Sequence, residues 1–215
     1  MKLYDWLKEL LFPAKCVLCG GLLKQEETEL CHSCRADAPE YPDRKTKPQF
    51  LDSFAAVWYY EGSVRSSLLR FKFRGARSYA GCYGRQLAMV LAKTDPEGYD
   101  LLTWVPVSTL RRLRRGYDQV ELIARVTARE LGMEAVPALK KIRHNRPQSR
   151  IPDAAARRAN VLGVYRVKDP ESLSGKRVLL LDDILTTGAT MSEAARMLKT
   201  AGAKEVHGAA VAVRK

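Results

Sequence analysis

From residue 53 onward, the apolar and polar positions alternate between two kinds of segment. Short runs rich in β-branched, aromatic and aliphatic residues predict strands; these are residues 54–60, 100–105, 135–139, 161–167, 177–181 and 206–213. Apolar residues at helical spacing predict helices; these are residues 63–92, with a break near Gly75, 117–131 and 189–200. Strands that alternate with helices form parallel βαβ units. The pattern therefore predicts an α/β fold with a doubly wound, mainly parallel sheet.

The residues before this domain follow a different pattern. Residues 1–12 place five large apolar side chains on one face of a short helix, and we expect that face to pack on the rest of the protein, with membrane contact as the alternative. Residues 36–50 hold three prolines among charged residues, which is typical of a linker. We therefore predict three parts: an N-terminal helix with a cysteine module at 1–35, a linker at 36–50, and the α/β domain at 51–215.

Four of the five cysteines lie in the first part, in the pattern C-x₂-C-x₁₁-C-x₂-C. Two such pairs can surround Zn²⁺ tetrahedrally, and a site with four cysteines has no open position for chemistry. We predict a small structural zinc module with the ligands Cys16, Cys19, Cys31 and Cys34. Two disulfides are the alternative, but they need an oxidising compartment. No export signal and no apolar run long enough to cross a membrane is evident, so we expect a cytoplasmic protein.

The chain is strongly basic, with 37 Lys and Arg against 24 Asp and Glu, a net charge of +13. Such an excess favours polyanionic ligands. Nucleic acid, pyrophosphate and an acidic membrane surface are all compatible with it, and charge alone does not choose among them.

A candidate site begins where the predicted strand 177–181 ends. Asp182 and Asp183 follow that strand, where they can accept hydrogen bonds from two vicinal hydroxyls or bind a hydrated Mg²⁺. Small and hydroxyl-bearing residues come next, at the start of a predicted helix whose free amides attract an anion; they are Thr186, Thr187, Gly188, Ala189 and Thr190. Ordinary helix capping explains the threonines alone. The whole string instead predicts a pocket for ribose 5-phosphate.

Residues 178–191 resemble the phosphoribosyl pyrophosphate motif of type I phosphoribosyltransferases, in which a strand leads to two acidic residues and Thr-Thr-Gly-Ala-Thr. The chain as a whole resembles the ComF family of competence proteins. That likeness rests on the cysteine pattern, on residues 105–108 followed by 115–119, on residues 157–161, and on the final motif.

The resemblance implies roles for particular residues. Asp182 and Asp183 would bind the ribose hydroxyls, and the segment Thr186 to Thr190 would bind the 5-phosphate. Mg²⁺ would accompany phosphoribosyl pyrophosphate. The loop after Val105 would be the pyrophosphate loop, with Val107, Ser108 and Arg111. Residues 140–158 would form a mobile loop over the site, from which Arg143, Arg146 or Arg150 could reach the ligand. No residue is assigned as a catalytic base.

The function that follows is a ComF-type, phosphoribosyltransferase-like protein that binds phosphoribosyl pyrophosphate or ribose 5-phosphate and acts in DNA uptake and natural transformation. Single-stranded DNA and the DNA-uptake machinery are the expected partners. Trp58, Tyr59 and Tyr60 are compatible with base stacking, although core packing is the alternative. A Mg²⁺-dependent phosphoribosyltransferase of nucleotide metabolism, without a DNA role, is the competing hypothesis, and the sequence leaves turnover open.

Overall fold

The fold was analysed in a computed structural model that describes residues 13–42, 47–95, 97–143 and 160–215. The predicted N-terminal helix and most of the predicted mobile loop lie outside these residues. The helices are α1 (His32–Asp37), α2 (Gly62–Phe73), α3 (Tyr79–Thr94), α4 (Thr109–Arg115), α5 (Gln119–Glu130) and α6 (Ala189–Thr200). The strands are β1 (Ser53–Tyr59), β2 (Leu101–Trp104), β3 (Leu139–Lys141), β4 (Tyr165–Val167), β5 (Arg177–Leu185) and β6 (Glu205–Val213).

Four strands form a parallel sheet in the order β1-β6-β5-β2, which confirms the predicted fold class. Successive side chains of a strand point to opposite faces of the sheet. Accordingly, Leu179 and Leu181 pack with α2, α3 and α5 on one face, while Val178 and Leu180 pack with α6 on the other. All four are fully buried. Burial on both faces explains why this part of β5 is an uninterrupted apolar run.

Three predicted strands differ from the observed ones. The strand predicted at 177–181 continues to Leu185 as β5. In the segment 135–139, Ala135 makes only an isolated parallel bridge to Leu102, and regular pairing starts at Leu139. In the segment 161–167 the strand is limited to Tyr165–Val167, because Gly163 takes a positive φ of 66° and forms a turn first. The resulting strands β3 and β4 pair with each other in a separate antiparallel sheet.

Helix α4 was not predicted as a separate element. Its ends carry ordinary signals: the Ser108 side chain accepts a hydrogen bond at the amino end, and Gly116 takes the left-handed conformation at the carboxyl end. However, Leu110 and Leu113 are exposed, at 67% and 75%. The helix therefore has no buried apolar stripe of the kind that periodicity detects.

The cysteine module shares the core of the α/β domain. Cys16, Val17, Leu18 and Leu30 are buried in the same cluster as the side chains of α2 and α3. Cys82, the fifth cysteine, is also fully buried there. Among the described residues, no helix is long and apolar enough to cross a membrane.

Candidate functional site

The carboxyl ends of β2 and β5 meet at one edge of the sheet, which is where ligands bind in open α/β folds. The two strands remain in register to their ends, where the Val105 amide donates to the Leu181 carbonyl at 2.9 Å. β5 then continues through Asp182, which pairs with Ala210 of β6. The predicted acidic pair thus lies in the last part of β5, which ends at Leu185, and not after the strand as the sequence predicts.

The two carboxylates have different surroundings. Asp183 is 8% exposed, and its Oδ2 lies 2.8 Å from Nζ of Lys72, a residue of α2. Asp182 accepts the Asp183 amide at 2.8 Å through its own Oδ1. Burial and the adjacent charge of Asp183 raise the pKa of Asp182, and Lys72 offsets part of this effect. The edge of the sheet therefore holds two close acidic groups and one built-in cation.

The loop that follows β5 has the shape expected of an anion cradle. Thr186 and Thr187 are exposed, whereas Gly188 is buried and adopts a positive φ of 73°. A Cβ on Gly188 would lie 3.1 Å from Cγ of Pro48, so the linker approaches the loop closely. The N-cap of α6 is Gly188, which has no side chain that could cap the helix. The amides of its first turn are thus available to an anion.

The loop after β2 is held by side chains that cap the next two helices. The Ser108 Oγ accepts the Arg111 amide at 3.4 Å and caps α4. Asp118 caps α5 through Oδ1, and its Oδ2 accepts the Val107 amide at 3.3 Å. Burial raises the pKa of Asp118, while three amide hydrogen bonds oppose this rise. Asp118 lies in a motif on which the family resemblance rests, but no role was predicted for it.

Basic side chains surround the acidic pair. Burial and the charge of Arg111 lower the pKa of Lys141 to about 8, and the carboxylate of Asp182 opposes this shift. Burial lowers the pKa of Arg115, and here the charge of Asp183 opposes. Arg115 therefore interacts with Asp183 and Lys141 with Asp182, while Arg111 interacts with Lys141. Arg112 is exposed. The site is positive around a small negative centre.

Sequence reasoning missed Lys72. Its pairing with Asp183 spans more than a hundred positions, and no local spacing indicates a contact of that kind. Lys141 was included only as one basic residue of the predicted mobile loop, whereas the structure places it at the end of β3. The family resemblance rests on sequence motifs, so it does not identify residues that reach the site from helices and strands outside those motifs.

The four cysteines of the module come together. Their sulfur atoms all lie within 4.8 Å of one another, and Cys19 Sγ and Cys31 Sγ are 3.8 Å apart, much longer than a disulfide bond. Backbone amides donate to two of the sulfurs, from Gly21 to Cys19 and from Cys31 to Cys16. Such hydrogen bonds stabilise thiolates. The donor set and its geometry suit a four-coordinate metal ion.

Helix α2 holds this cysteine module against the domain. The Arg70 guanidinium donates to the Val17 carbonyl at 3.0 Å and to the Leu18 carbonyl at 2.6 Å. The Ser67 hydroxyl also donates to the Val17 carbonyl. On α3, Arg85 forms an ion pair with Glu29 of the module. The cysteine module is therefore tied directly to the helix that carries Lys72.

Comparison with known proteins supports the predicted relationship. Residues 121–215 match the model of the phosphoribosyl transferase domain. Competence protein ComFC of Bacillus subtilis is 27% identical over 187 residues, which cover 87% of this chain and 72% of that protein. The resemblance to the ComF family is confirmed. Competence protein F of Haemophilus influenzae is 26% identical over 90% of this chain and 89% of its own length. DNA utilization protein YhgH of Salmonella typhimurium is 26% identical, with coverages of 89% and 86%.

Proposed function

We propose that the carboxyl edge of the sheet binds the ribose 5-phosphate group of phosphoribosyl pyrophosphate. Asp182 and Asp183 accept hydrogen bonds from the ribose hydroxyls, and the loop from Thr186 to Thr190 binds the 5-phosphate. The observation that carries the proposal is the acidic pair in the last part of β5, followed by the loop from Thr186 and the start of α6, within the residues that match the phosphoribosyl transferase domain.

The pyrophosphate group belongs, in this proposal, at the loop after β2. Val107 and Ser108 line that loop, and the positive charges of Arg111, Arg115 and Lys141 suit a ligand with several phosphate charges. Carboxylates beside a phosphate site also fit Mg²⁺, which would neutralise the pyrophosphate when bound. These residues bind and orient the ligand.

Transfer of the ribosyl group is compatible with this arrangement. Displacement of pyrophosphate at the anomeric carbon requires a positioned acceptor and stabilisation of the departing negative charge. The basic side chains around the acidic pair provide that stabilisation. A Mg²⁺-dependent phosphoribosyltransferase of nucleotide metabolism, the competing hypothesis, would use the same residues.

We propose that the four-cysteine site holds structural zinc. Its four donors leave no coordination position for a substrate, and the module shares the core of the domain. Reduced cysteines that bind a metal also suit the cytoplasm, which is the compartment we propose.

A role in DNA uptake and natural transformation is the second part of the proposal. It rests on the names of the relatives, which refer to competence and to DNA utilization, and on the net charge of +13. Trp58 is 3% exposed and packs on Tyr83, so it is a core residue and not a stacking platform. Phe73 is a better candidate for base stacking, because it is 67% exposed and Arg115 lies over its ring.

Calorimetry with phosphoribosyl pyrophosphate and Mg²⁺ tests the first part. We expect the wild type to bind, and the double variant Asp182→Asn with Asp183→Asn to lose at least about tenfold in affinity, because charge-assisted hydrogen bonds are lost. The double variant Asp37→Asn with Asp169→Asn is the matched control, since it removes two exposed carboxylates. A wild type that does not bind, or equal losses in both variants, contradicts the proposal.

Fluorescence anisotropy with a labelled single-stranded oligonucleotide tests the second part. We expect an affinity that falls steeply with salt, and weaker binding when Phe73 is replaced by Ala. Met89→Ala is the control, because it truncates another exposed apolar residue on a different helix. No binding near physiological salt would favour the nucleotide-metabolism alternative.

A further inference from the structure

Lys72 reaches the acidic pair from an element outside every motif that identified the site. Its side chain is 18% exposed and that of Asp183 is 11% exposed, so their ion pair is largely shielded from water. Removing two charges from water is costly, and a buried pair contributes little net stability for that reason. A largely buried pair at the edge where a ligand binds therefore indicates a functional role.

Helix α2 holds Lys72 in a fixed place. Two residues earlier, Arg70 is bound to carbonyls of the cysteine module. The carbonyl of Phe71 accepts a hydrogen bond from the hydroxyl of Tyr117, which lies between α4 and α5. The last turn of α2 is thus attached through the two residues that precede Lys72, and the Lys72 ammonium group contacts the acidic pair before any ligand arrives.

Two adjacent carboxylates repel each other when both are ionised, and a nearby cation relieves that repulsion. We propose that Lys72 is a positioning residue, a built-in counter-cation that holds Asp183 for the ribose hydroxyls, so that ribose 5-phosphate binds without a divalent cation. This inference rests on the proposed function of the site. Mg²⁺ is then needed for the pyrophosphate group and not for the sugar.

Other charged and polar groups lie near the acidic pair. Asp182 interacts electrostatically with Asp118, Lys141 and Tyr165, and Asp183 interacts with Arg115. Among the described residues, Lys72 is the cation in contact with Asp183. Loss of Lys72 therefore removes the cation that contacts Asp183.

The test is calorimetric titration of ribose 5-phosphate, with and without Mg²⁺, in buffer free of chelators so that bound zinc stays in place. We expect the wild type to bind equally well, within about twofold, under both conditions. Lys72→Met loses at least about tenfold in affinity without Mg²⁺. Lys72→Arg keeps the charge and restores most of the affinity. Lys93→Met, which removes an exposed lysine of α3, behaves as the wild type.

The outcomes separate this inference from the proposed function. If the wild type binds and Lys72→Met binds equally well without Mg²⁺, the inference is wrong and the sugar site stands. If Mg²⁺ strengthens wild-type binding of ribose 5-phosphate by more than about tenfold, the inference is also wrong. If neither ribose 5-phosphate nor phosphoribosyl pyrophosphate with Mg²⁺ binds, both fail. Lys72→Gln replaces Lys72→Met if circular dichroism shows that the latter does not fold.

Discussion

The substitution Gly188→Ala tests whether the loop after β5 needs glycine for its shape. Gly188 adopts a φ of 73°, in the left-handed region, and a Cβ there would lie 3.1 and 3.2 Å from two atoms of Pro48. The substitution therefore has two effects: it strains the backbone at residue 188, and it creates a tight contact with the linker. Both act where we place the 5-phosphate.

The cost can be divided between these two effects. A non-glycine residue in the left-handed region costs about 1–2 kcal/mol. The contact with Pro48 is tight but not impossible, because a shift of a few tenths of an ångström relieves it, and overpacking of this mild kind adds about 1 kcal/mol. We therefore expect Gly188→Ala to lower the free energy of unfolding by about 2–3 kcal/mol. We expect its affinity for ribose 5-phosphate to fall about tenfold or more, because the phosphate amides are displaced.

Gly175→Ala is the matched control. Gly175 has a φ of 70°, and a Cβ there would meet no atom within 4 Å. It precedes β5, at the opposite edge of the sheet from the candidate site. Chemical denaturation should show a loss of about 1–2 kcal/mol for this variant, and calorimetry should show wild-type affinity. If the two variants are equally stable and bind ribose 5-phosphate equally well, the assigned role of Gly188 is wrong.

Three further predictions concern the metal module and the acidic pair. Arg70→Met should lower the free energy of unfolding by about 2 kcal/mol and speed zinc release, because the buried Leu18 carbonyl loses its donor. The control is Arg65→Met, on the exposed face of α2, which should change neither the stability nor the rate of zinc release. Metal analysis should give about one zinc per chain, and a clearly lower content would count against the zinc site. The pKa of Asp182 is raised in the folded state, so its contribution to stability declines as pH rises above the ordinary carboxyl range. Asp182→Asn should therefore unfold at a higher temperature than the wild type in mildly alkaline buffer, and this difference in unfolding temperature should become smaller in acid. A difference that stays constant with pH would contradict this prediction.

The parts of the fold that were predicted from sequence are those whose signal is local. The apolar run of β5 is buried on both faces of the sheet, and the predicted boundaries of α6, residues 189–200, are those observed. The cysteine pattern likewise brings four sulfurs together through short, glycine-containing turns.

Tertiary context decides the rest. The apolar valines of segment 161–167 predict one continuous strand. In the structure Val161 and Val164 are indeed buried, but they lie in a turn and not in a strand. The contact between Lys72 and Asp183 depends on how α2 packs beside β5, and that packing depends in turn on the docked cysteine module. No single segment contains this information, which explains why the acidic pair was predicted and its cation was not.

A crystal structure of the protein with ribose 5-phosphate would show whether the loop after β5 binds the phosphate. We expect the phosphate to accept hydrogen bonds from the amides at the start of α6, and the ribose hydroxyls to lie within hydrogen-bonding distance of Asp182 or Asp183. A phosphate held by the arginines of α4, with the start of α6 unoccupied, would contradict this expectation.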